Sequence, residues 1–71
     1  MEDLRPALGR RIRTLREKRS LSQEDLAEAA QLHWTYVSGI ERGRRNPSLN
    51  TIGRLARALG ISLAQLVARL K

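Results

Sequence analysis

Trp34, Thr35, Tyr36, Ser38, Gly39 and Arg42 crowd into nine positions, and Arg44, Arg45 and Asn46 follow directly. On a helical wheel at ~100° per residue, Val37 and Ile40 point inward, with Leu32 just before the helix. The opposite face carries Thr35, Ser38, Gly39 and Arg42, and Trp34, Tyr36 and Glu41 sit on its flanks. A helix that needed only solubility would more often expose Glu and Lys there. Small, polar and cationic groups instead let the helix axis approach base edges closely enough to hydrogen-bond with them. Arginine adds bidentate contacts to phosphate or guanine. Trp34 could pack on a sugar or a thymine methyl. Tyr36 stays open between two roles, a ring sealing the core edge and a hydroxyl reaching a phosphate. His33 reads as a weak N-cap or a solvent-facing turn residue.

Other chemistries find little support. Cysteine is absent, so disulfides and thiolate metal sites are excluded, and one histidine among seven acids in no ligand spacing makes no metal centre. There is no nucleophile–base pair and no glycine-rich phosphate loop, so an enzyme is not expected, nor a cofactor or a small-molecule ligand. No apolar run approaches the ~18 residues of a membrane span, and the composition reads as cytoplasmic. Fourteen bases face seven acids. Residues 1–41 hold seven of each, whereas residues 42–71 hold seven bases and no acid. A half-chain of that kind attracts an anionic polymer. Arg5, Arg10, Arg11, Arg13 and Lys18 read as a solvated face balanced by nearby acids, with Arg10 or Arg19 within reach of a phosphate.

The elements that must carry these side chains are all helices, and no strict alternation suggests a strand. Leu4, Leu8, Ile12 and Leu15 make one face of a first helix that ends near Lys18, with Pro6 in its first turn. Ser22 is an N-cap with Asp25 three residues on as an imperfect capping box, and Leu21 and Leu26 form a hydrophobic staple. Ser62, Gln65, Ile61 and Leu66 repeat the device. Between them, Ser48 opens a helix on Leu49, Ile52, Leu55, Ala56 and Leu59, stopped by Gly60, and Gly43 closes one over about 34–42. The expectation is five short helices in one domain over residues 1–71. Two of them, near 23–30 and 34–42, are joined by a tight turn through Gln31–His33 as a helix-turn-helix, whose second helix enters the major groove. Gln31 takes the place of the glycine common at such turns, so mild strain is expected there.

Three motifs carry a resemblance: Leu21-Ser-Gln-Glu-Asp-Leu-Ala27, Val37-Ser-Gly-Ile-Glu-Arg-Gly-Arg-Arg-Asn-Pro-Ser48 and Leu55-Ala-Arg-Ala-Leu-Gly-Ile-Ser62. Together they resemble the Cro/repressor-type helix-turn-helix (Xre) family, over about residues 8–67. Thr35-Tyr-Val-Ser-Gly-Ile-Glu-Arg42 is similar to the controller proteins of restriction–modification systems, although this chain has His33-Trp34 where those often carry Asp-Arg. The resemblance implies a lambda-repressor-like all-α fold and a DNA-binding transcription regulator of bacterial or phage origin. It implies that Gln23 binds a phosphate and helps orient the recognition helix. It places Trp34, Thr35, Tyr36, Ser38 and Gly39 at the groove, and Arg42, Arg44, Arg45 and Asn46 on the DNA backbone. It also makes Glu41 a buried acid paired with Arg16.

Leu63, Leu66, Val67 and Leu70 form a stripe partly spare after the last helix packs. A homodimer interface is the expected use, suited to a small domain that gains from extra buried area. The double-stranded DNA partner is then an inverted repeat, read by two recognition helices about 34 Å apart, in an operon the protein controls through its own concentration. Arg45→Ala is expected to weaken all sequences alike, and Ser38→Arg to change the preferred site. The rival is an antitoxin-like interaction module whose C-terminal stripe binds a partner protein.

Overall fold

The computed structural model describes residues 2–68 and residue 70, and among these it contains five α-helices and no strand. They are α1 (Arg5–Lys18), α2 (Gln23–Ala30), α3 (Trp34–Glu41), α4 (Leu49–Ala58) and α5 (Leu63–Val67). Helix α1 packs on α3 and α5, α2 on α3 and α4, and α4 on α5. Their shared core contains Ile12, Leu26, Val37, Ile40, Leu55, Leu59 and Leu66, all essentially inaccessible.

Local chemistry starts each element. Pro6 sits in the first turn of α1, where its missing N–H leaves no hydrogen bond unmade. The Ser22 hydroxyl accepts from the Asp25 N–H at 2.9 Å, and the Asp25 carboxylate accepts from the Ser22 N–H at 3.0 Å. The capping box is therefore complete, with aspartate in the place more often taken by glutamate. Ser62 and Gln65 build the same box on α5, at 3.0 and 2.9 Å, and Ser48 caps α4 through the Thr51 N–H at 3.1 Å.

Four helices also end in one way. In each, a residue at the cap (Gln31) or just past it (Ser20, Gly43, Gly60) turns left-handed, and two amides reach back to the last-turn carbonyls. Gly43 and Gly60 do this at φ of +74°, but Ser20 and Gln31 do it at 55° and 58°. The left-handed backbone of Gln31 is the strain expected at the helix-turn-helix turn. Arg54 lies across this end of α2, donating to the carbonyls of Ala30 at 3.1 Å and Gln31 at 2.6 Å.

Several expected positions shift. Leu4 precedes α1 as its N-cap and is 45% exposed, so the buried stripe of that helix is Leu8, Ile12 and Leu15. Leu49, at the first position of α4, projects into solvent at 68%. Leu66 is 0% exposed and belongs to the core, which removes it from the stripe assigned to a dimer. The neighbours Val67 and Leu70 keep part of their surface. Arg11 does not rest on nearby acids but donates to the carbonyls of Gln65 and Leu66 at the end of α5.

Candidate nucleic-acid interface

Helix α3 is held at both ends, and its exposed residues lie at its start and just past its end. At its start the His33 ring caps the first turn: Nδ1 accepts from the Thr35 N–H at 3.2 Å and lies 2.8 Å from the Thr35 hydroxyl. Trp34 follows, 48% exposed. Val37 and Ile40 are buried at 0% and 1%, which orients the helix so that Thr35 and Arg42 lie outside. Tyr36 and Ser38 are half-buried, the tyrosine ring packing against the core edge.

At its far end, Glu41 joins three helices. Its side chain is 3% exposed and accepts from the Arg16 Nε at 2.6 Å, from a second Arg16 nitrogen at 3.0 Å, and from the Gln23 amide at 3.1 Å. Arg16 also donates to the Leu21 carbonyl at 2.8 Å. The Glu41 carboxylate holds the Arg16 guanidinium above its ordinary range. The Gln23 side-chain amide, which the resemblance gives a phosphate and a part in orienting the recognition helix, donates to Glu41 and so ties α2 to α3. The approach of α1 to this end depends on Gly9. A methyl group there would collide with the carbonyl oxygens of Ile40 and Glu41.

The chain then reverses. Gly43 donates to the Ile40 carbonyl at 3.0 Å and Arg44 to the Gly39 carbonyl at 2.9 Å, so residues 44–46 run back beside α3. One consequence corrects the wheel. Gly39 lies on the outward side but is buried, because the Arg45 stem covers it. The Arg45 guanidinium carbon sits 5.6 Å from the centre of the Tyr36 ring.

Arg42, Arg44, Arg45 and Asn46 are all exposed, and among the described residues the ion pairs engage only Arg5, Arg13 and Arg16. The arginines beyond α3 keep their charge available to an external anion. Together with Trp34 and Thr35 they make an exposed helix start followed by unpaired cations beyond its other end, suited to a groove between two phosphate backbones. Among the described residues no group of His, Asp and Glu is placed to hold a metal ion, and no helix is long and apolar enough to cross a membrane.

Sequence reasoning missed Arg54 at the end of α2, the Arg45–Tyr36 contact and Gly9. The first two link residues whose separation no local pattern encodes, whereas a glycine beside Leu8 on the apolar face of α1 was itself a visible signal of close approach.

Comparison with known proteins agrees with this geometry. Residues 12–66 match the family described as Helix-turn-helix. The control protein C.SmaI of Serratia marcescens is 42% identical over 67 residues, covering 94% of this chain and 80% of that protein. The immunity repressor of Bacillus phage phi105 is 47% identical over 60 residues, 84% of this chain but only 42% of the repressor. Among solved structures, the restriction–modification controller protein C.AhdI from Aeromonas hydrophila superposes with a TM-score of 0.84 at 48% identity, over 86% of this chain and 92% of that one.

Proposed function

This chain belongs to the helix-turn-helix family of DNA-binding transcription regulators, and from that premise we propose that it works in the cytoplasm as a homodimer on an inverted-repeat operator, timing expression of its own restriction–modification operon. The observation that carries this reading is α3 itself, locked from behind by Glu41 while Trp34, Thr35 and Arg42 face outward beside unpaired Arg44 and Arg45. The likeness to C.SmaI and C.AhdI over most of their lengths supports the operon setting.

In this reading the roles divide by chemistry. Trp34, Thr35 and Ser38 lie at the groove and discriminate sequence, with the Tyr36 ring behind them at the core edge. Arg42, Arg44, Arg45 and Asn46 hold the DNA backbone and supply affinity together with salt dependence. Two protomers meet through the hollow whose lining joins Leu4, Leu8, Ile52, Val67 and Leu70 with Glu2, Asp3, Arg5 and Asn46, and half-buried Leu63 of α5 joins the contact. Leu66 stays in the core and takes no part in the contact.

Selection of genomic fragments by the purified protein at two salt concentrations tests the proposal. Enrichment of one inverted repeat, upstream of the protein's own gene and beside restriction and methylation genes, is expected. Salt-sensitive binding without an enriched sequence would overturn the operator reading, and an operator within prophage genes would place the chain beside the immunity repressor instead.

A further inference from the structure

Tyr36 and Gly39 are one turn apart on α3, and both meet the same residue from the returning loop. A Cβ built on Gly39 would lie 2.8 Å from the Arg45 Cγ and 3.2 Å from its Nε. Only a residue without a side chain leaves room for that stem to lie flat. The guanidinium then continues over the Tyr36 ring, 5.6 Å from its centre. The backbone bond from Arg44 to the Gly39 carbonyl sets where the loop begins its return. Among the described residues Arg45 has no carboxylate to rest on, so its place is set by packing and by the ring face.

We propose that Gly39 and Tyr36 form a seat that pre-positions Arg45 for DNA, so that both act on DNA affinity through that arginine. The inference rests on the reading that Arg45 touches DNA. It gives Tyr36 a function carried by its ring rather than its hydroxyl, and makes Gly39 a positioning residue rather than a groove contact. The physical gain is preorganisation: an arginine already held loses less rotamer freedom when the phosphate arrives.

Double-mutant cycles test this, with affinity for a short mixed-sequence duplex read by fluorescence anisotropy at low salt. Tyr36→Leu is expected to weaken binding about 2–5-fold, the range of an exposed cation–π contact, and Tyr36→Phe to leave it unchanged. Gly39→Ala should weaken binding while the melting temperature holds or rises, since alanine favours the helix. In an Arg45→Ala background neither Tyr36→Leu nor Gly39→Ala should have any further effect. A loss with Tyr36→Phe as large as with Tyr36→Leu would overturn the ring's role, and additive losses in the Arg45→Ala background would overturn the seat. NMR of the free protein gives a reading without DNA. The Arg45 δ and ε protons should be shifted upfield by the ring, with the shift kept in Tyr36→Phe and lost in Tyr36→Leu. Its absence from the parent protein would overturn the seat while leaving Arg45 a DNA contact. If Arg45→Ala left affinity unchanged, the contact itself would fall, and the seat's function with it.

Discussion

Glu41 does most of its work with one carboxylate, and the energetics explain why the pair with Arg16 tolerates no partial removal. A buried charge with its partner missing costs about 3–5 kcal/mol, more than the intact pair contributes. Glu41→Gln leaves the Arg16 guanidinium, 11% exposed, without its counter-charge. The variant is therefore expected to lose on the order of 3 kcal/mol in urea denaturation. Arg16→Met with Glu41→Leu, which removes both charges, should recover much of that loss. A Glu41→Gln variant as stable as the parent would show the pair to be dispensable. The pairing followed from resemblance alone, because nothing in the local sequence links positions 16 and 41. Gln23 shows the reverse case. Its place at the first position of α2 was legible, but its turn toward Glu41 was not.

At the scale of the element, what was readable in the sequence was what closes within a few residues. Ser22, Ser48 and Ser62 lie three residues from the amides they cap, and Gly43 and Gly60 stand where a left-handed turn is needed. Arg54 on the end of α2 and Arg11 on the end of α5 bridge distant parts of the chain, and only the packed fold reveals them. Two predictions belong here. Gln31→Gly relieves a left-handed residue that is not glycine, and should raise stability by about 0.5–1 kcal/mol in thermal unfolding. Arg54 bonds to the Gln31 carbonyl rather than its side chain, so that contact remains. The second concerns acid. The Ser22 N–H bonded to the Asp25 carboxylate holds that group below its ordinary value of 3.8. A lowered folded value means the cap's contribution is present above that ordinary value and fades as pH falls through the lower folded one. Melting temperatures measured down through this window should therefore fall less in Asp25→Ala than in the parent.

For the whole molecule, the question is how two copies span a DNA site. The hollow beside α5 combines Val67, 36% exposed, with Leu4, 45% exposed. Val67→Asp places a charge in the proposed contact without touching the core. Sedimentation should show a monomer with unchanged helix content. Affinity for an inverted repeat should fall far more than affinity for a half-site, because two linked half-sites gain from effective concentration. A dimeric Val67→Asp protein would move the contact elsewhere. The all-helical fold and the inward turn of Val37 and Ile40 on α3 were legible at this scale from periodicity. The exposure of Leu49 and the burial of Leu66 were not, since a wheel gives direction but not what lies opposite.

The carboxylate that binds α1, α2 and α3 together also bears on how long the protein survives in a cell. Helix α3 cannot peel away without breaking contacts in both of its neighbours. Its central amides, at Val37 and Ile40, should therefore exchange with solvent deuterium only through global unfolding. A protease meets the same condition, with little to cut until the whole fold opens. Turnover then follows the global unfolding equilibrium, so a regulator working through its own abundance would have its lifetime written into one buried glutamate.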